Sequence, residues 1–173
     1  MKNRIPILFL VLSLIMLCSC SNGDSKKEES ISYDAHYSTQ AQDRKYNEEI
    51  LKNILRCFDD KNVEELKNMF SNYTQSNNDI EEQIENAYLM YEGNSVSYDG
   101  FWDYGSVYDY KKDGVYIIKK VGAQMENILT TEDKQYIISF HKFIVYDEDK
   151  TKLGVTQVVL RDAEGTVIAG IGE

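Results

Sequence analysis

Proline is almost missing from this chain: Pro6 is the only one in 173 residues. A domain with no proline beyond that point has no proline-punctuated loops, and it suits helices and continuous strands. Cysteine is scarce as well, limited to Cys18, Cys20 and Cys57. Positive charge is in deficit, with 19 Lys and Arg against 29 Asp and Glu and a net charge of −10. So acidic a chain excludes nucleic acid as a partner, because phosphate binding needs a basic face. Anionic lipid headgroups would repel it too. No GxSxG, HExxH, CxxC or phosphate-cradling glycine loop occurs. The sequence therefore points to no catalytic residue, no metal site and no cofactor.

Only one long apolar run is present, Ile5 to Leu17, interrupted by Pro6 and Ser13. It is shorter than the ~20 residues of a membrane-spanning helix, and Lys2 and Arg4 precede it, so it reads as the core of a signal peptide. Leu17-Cys18-Ser19-Cys20 then resembles the lipobox of bacterial lipoproteins. Leu17 supplies the apolar −3 residue, Ser19 the small −1 residue and Cys20 the residue that becomes lipidated; Cys18 at −2 departs from the usual pattern. Modification at Cys18 would put bulky Leu17 at the cleavage position. The resemblance implies removal of residues 1–19 and a Cys20 carrying two acyl chains of the palmitate kind, enough for stable anchoring at the cell membrane. The alternatives are an ordinary secretory signal or an uncleaved anchor.

Cleavage would leave 154 residues, enough for one domain with a core, and would take the net charge to −12 as Lys2 and Arg4 depart. With Cys18 removed and Cys20 lipidated, only Cys57 remains, which excludes an internal disulfide and a cysteine metal cluster. Residues 20–42 are polar and charged and read as the lipidated cysteine and a flexible tether. Residues 43–173 then form a single α+β domain.

From Asp43 to Phe58 the apolar residues Tyr46, Ile50, Leu51, Ile54, Leu55 and Phe58 recur at spacings of three and four, the stripe of an amphipathic helix. Cys57 beside that stripe reads as a packing residue. Asn62 with Glu65, and Asp79 with Glu82, give capping signals for a second and a third helix, separated by a polar loop over Ser71 to Asn78. Gly93 marks a helix stop. The period then changes to two. Strands are expected over Ser95–Trp102, Val115–Leu129, Gln135–Asp147, Lys152–Asp162 and Thr166–Ile171. In the clearest of these, Tyr136, Ile138, Phe140, Ile144 and Tyr146 share one face, with Lys142 as the exception. Helices followed by a strand meander imply an antiparallel sheet.

The segment Glu48 to Phe70 (EEILKNILRCFDDKNVEELKNMF) and the long strands after Val115 resemble the nuclear-transport-factor-two-like superfamily. The chain is also similar to an uncharacterised family of Gram-positive lipoproteins carrying a domain of unknown function. The resemblance implies three N-terminal helices packed on a strongly curved, cone-like antiparallel sheet. It does not choose an activity, because that fold hosts enzymes and binders alike.

Three features are candidates for function. The aromatic-acidic stretch Tyr98 to Tyr110 offers Trp102, Tyr104, Tyr108 and Tyr110 as a ligand or partner patch, or as a plug for the open end of the cone. The tyrosines after Gly105 are expected in a loop, more exposed than Trp102. His141 is the candidate pocket residue, since enzymes of the superfamily can place a His–Asp pair inside the cone; a structural histidine is the plainer reading. Asp147 to Thr151 lacks the glycine and the closing glutamate of a calcium loop and reads as a solvated hairpin. These features leave three functional readings: a non-enzymatic lipoprotein binding a small ligand or envelope protein, an extracytoplasmic enzyme built around His141, and a structural protein with a filled cone.

Overall fold

A computed structural model describes residues 33–172; the leader, Cys20 and the tether up to residue 32 lie outside the described residues. Helix α1 runs Gln40–Asp60 and is capped reciprocally: Thr39 Oγ1 accepts from the Gln42 backbone, and the Gln42 side chain accepts from the Thr39 N–H. Its Ile50, Leu51, Ile54, Leu55 and Phe58 are buried, as the spacing requires. Cys57 is fully buried beside them, and burial pushes its thiol up to about 11, so it is not a thiolate at neutral pH.

Three further helices follow. They are α2 (Val63–Met69), α3 (Asn72–Gln75) and α4 (Ile80–Met90). Asn62 caps α2, accepting from the Glu65 N–H at 3.1 Å. The single turn α3 falls in the expected polar loop, where Ser71 accepts from the Thr74 N–H and so organises it. Asp79 makes no cap bond; its carboxylate accepts from Gln83 instead. At the far end of α4, Lys61 donates to the carbonyls of Tyr88 and Tyr91 at 2.9 and 2.6 Å, satisfying acceptors the helix leaves open.

The strands are β1 (Ser95–Ser97), β2 (Phe101–Lys112), β3 (Val115–Thr130), β4 (Gln135–Tyr146), β5 (Gly154–Asp162) and β6 (Val167–Gly172). They form an open antiparallel sheet in the order β1-β3-β4-β5-β6, with β2 paired to β3 on the edge that β1 also occupies. The expected first strand is thus divided. β1 stops after three residues, the chain turns at Tyr98–Gly100 with Gly100 at φ +98, and the supposed aromatic loop is a twelve-residue edge strand. Valine and aromatic residues favour a strand. Bulges fall at Tyr104 and Val107, and the Asp, Gly and Lys residues that read as a loop pair with β3.

The core lies between the helices and one sheet face. Ala123, Met125 and Ile128 of β3, Ile138 and Phe140 of β4, and Val158 and Leu160 of β5 meet Leu51, Ile54, Phe58, Leu66 and Ile84. Packed structure begins ahead of the expected boundary at Gln42. The Tyr33 hydroxyl donates to Asp43 at 2.9 Å, and the Tyr33 ring stacks on Tyr46 with centroids 4.6 Å apart. Lys119 of β3 donates to Asp43 at 2.6 Å and to Ser38 at 2.8 Å, with the two charged side chains 1% and 3% exposed. Burial and the Asp43 carboxylate together push the Tyr33 hydroxyl pKa upward. The last residues assigned to the tether therefore form a strap on the domain.

Candidate ligand-binding cavity

A cavity of about 730 Å³ opens between the strap, α1, the α2–α3 corner and the β4–β5 end of the sheet. Local sequence explains each wall. α1 presents Tyr46, Glu49, Ile50 and Asn53 on adjacent turns, because residues three and four apart share a face. The corner supplies Asn68, Met69, Phe70, Asn72 and Gln75. It is held against β5 by the Ser71 N–H donating to the Val155 carbonyl at 2.9 Å. Gly154 makes that approach possible. It sits at φ +130, and a Cβ there would fall 2.6 Å from the Ser71 nitrogen.

Lys142 of β4 enters from the sheet. Its ammonium donates to the Tyr46 hydroxyl at 2.7 Å and lies 5.0 Å from the centre of that ring. No acidic side chain among the described residues forms an ion pair with it. One wall is thus aliphatic and aromatic, while the rest carries amides, a carboxylate, phenols and an ammonium group. Such a volume and mixture suit a small molecule with a polar end and an apolar body.

His141 is not among the residues lining this cavity. It neighbours Lys142 on β4, and adjacent strand residues point to opposite faces. Lys142 follows the core-facing Phe140, whereas His141 turns to the face away from the helices. There its ring lies over Gly122, where a Cβ would fall 2.6 Å from His141 Cδ2, and its centroid is 6.5 Å from that of Tyr104. Burial, with Lys120 and Arg161 also unfavourable to a positive ring, holds its pKa below the usual histidine value; the Gln157 side chain opposes them. No carboxylate hydrogen-bonds to it among the described residues.

The same outer face carries all four candidate aromatics. Trp102, Tyr108 and Tyr110 pair with Gln124, Lys120 and Ile118, alternate positions of β3, so they share a side despite the bulges. Trp102 is 60% exposed, Tyr108 55% and Tyr110 53%, so the tyrosines are not more exposed than the tryptophan. Phe101 instead packs on the core, as alternation requires. The Trp102 indole N–H donates to Glu126 at 2.9 Å. The Tyr104 hydroxyl donates to Gln124, which donates in turn to Glu126. Asp147 pairs with His36 and Lys150, and Asp149 accepts from Thr151.

The profile of a family described as a domain of unknown function, DUF5104, matches residues 53–163. The chain belongs to the DUF5104 family. No curated protein matches it. The DUF5104 match runs from within α1 to the end of β5, so it takes in Asn53, Asn68, Asn72, Gln75 and Lys142 of the cavity. Tyr33, Tyr46 and Glu49 stand ahead of it.

Proposed function

We propose that this protein is an extracytoplasmic lipoprotein, anchored to the cell membrane through lipid on Cys20, that binds a small ligand without transforming it. In this reading the domain is a cone of the nuclear-transport-factor-two-like kind, and the ligand enters its mouth beside α1. The observation that carries the reading is the 730 Å³ cavity with its mixed lining. A filled interior would have favoured a purely structural role, and a His141–carboxylate contact inside it would have favoured an enzyme. The bulges along β2 to β6 support a curved sheet, since each adds local twist and bend.

The site is tested by fluorine-detected NMR of a fragment library on the purified protein and two variants. Asn53→Trp, an exposed change on α1, fills the cavity mouth and should abolish the hits; Trp102→Ala should keep them. Hits that survive Asn53→Trp and vanish with Trp102→Ala would move binding to the outer face. For the anchor, Cys20→Ala should release the protein from membranes or leave an unprocessed precursor, while Cys18→Ser is tolerated. Unchanged processing and retention in Cys20→Ala would defeat the lipoprotein assignment.

A further inference from the structure

We infer that the cavity selects a small acid, with the ligand's oxyanion seated on Lys142 and Tyr46 and its apolar body against Ile50, Met69 and Leu153. The inference rests on the proposed binding role of the cavity and names its chemistry. Lys142 is a half-buried ammonium in a chain of net charge −10, yet it has no carboxylate partner among the described residues. Burial of a charge is costly unless it is paired, and acidic side chains are abundant here. One of its three N–H groups is used on the Tyr46 oxygen at 2.7 Å. Tyr46 accepts in that bond, so its own O–H remains as a donor.

The pair therefore offers two ammonium N–H groups and one phenol O–H from a single corner of the cavity, with no acceptor for them among the described residues. Such a donor set suits a carboxylate or a phosphate, and charge-assisted bonds of this kind are the stronger ones. Glu49, the acid on the cavity wall, lies on the exposed side of α1, 3.5 Å from Lys52, which offsets its charge. The Tyr33 ring stacked on Tyr46 holds the phenol in place. The strap thereby links the donor corner to the chain's N-terminal segment.

The test titrates the purified protein with 3-phenylpropionate, phenylphosphonate and neutral 3-phenylpropanamide, followed by NMR. At least one anion should bind with amide shifts at Phe143 and Ile144, and the neutral amide at least about tenfold more weakly, since bonds to a charged group are worth ~1.5–3 kcal/mol. Lys142→Met should remove that preference while leaving the melting temperature close to wild type; Lys142→Arg should restore part of it. Tyr46→Phe keeps the ring and should cost a smaller factor. Equal binding of acid and amide in the cavity, or a preference that survives Lys142→Met, would overturn anion selection and leave the binding role intact. Binding of none of the three would overturn both.

Discussion

β2 and β4 are each twelve residues long, each rich in aromatic side chains, and each pairs with β3. Their fates differ completely. β4 is central, and most of its residues are buried or half-buried; β2 is an edge, and only Gly105 along it is buried. Aromatic content therefore does not decide burial in this sheet. Position does: β4 has strand partners on both sides and helices over one face, whereas β2 has β3 as its one strand partner and meets α1 only near its start, through Phe101 and Asp103. The same contrast separates the two faces of β4. Phe140 and Lys142 face the helices and the cavity, and His141 between them faces outward.

The largest effects should come from the helix side. Phe140→Ala removes a fully buried ring and should cost roughly 3–5 kcal/mol in denaturant melts. Asp43→Ala leaves Lys119 buried without its counter-charge and should cost a similar ~3–5 kcal/mol. Truncation to Gln42 deletes Tyr33, Ser38 and Thr39 and should lower the melting temperature, where a true tether would leave it unchanged.

Gly122→Ala should give an intermediate loss, about 1–3 kcal/mol, because the new methyl meets the Phe140 carbonyl at 2.9 Å as well as the His141 ring. Trp102→Ala and Tyr108→Ala should stay within about 0.5 kcal/mol, as exposed substitutions usually do. A core-sized loss in either would erase the contrast between β2 and β4. The smallest effect concerns acid. His141 is held neutral in the folded protein, so as pH falls below its ordinary value of 6.5 the unfolded chain takes up the proton first. Its contribution to stability is present above that value and is lost as pH drops toward the lowered folded one. His141→Gln should lose less stability across that interval than the wild type in pH-dependent melts; identical slopes would contradict the burial assigned to the ring.

Much of this architecture is readable from the residues. The α1 stripe from Tyr46 to Phe58 announces one buried face and is found where the spacing puts it; in β4 the alternation holds for Tyr136, Ile138 and Phe140, but a bulge at Ile144 then brings Val145 to the buried face in place of Ile144 and Tyr146. β2 is harder to read because it alternates only over its first residues, is exposed on both sides beyond Gly105, and has three irregularities in its pairing with β3. α3 is a single turn fixed by the Ser71 cap, too short to show a period. At the cavity, the chemically versatile His141 lies on the wrong face, while Lys142 is the one charge on the apolar face of the clearest strand. Asn53, Asn68, Asn72 and Gln75 carry no pattern of their own; only the docking of the α2–α3 corner on β5 brings them together.

Trp102 is the only tryptophan, so its indole N–H is a unique reporter of the outer face, while the Phe143 and Gly154 amides report the cavity. One titration of the purified protein with 3-phenylpropionate or phenylphosphonate, recorded by proton–nitrogen NMR, compares the two directly. The account predicts that an anion shifts Phe143 and Gly154 and leaves the Trp102 indole resonance in place. A Trp102 indole that moves while the cavity amides stay still would contradict it.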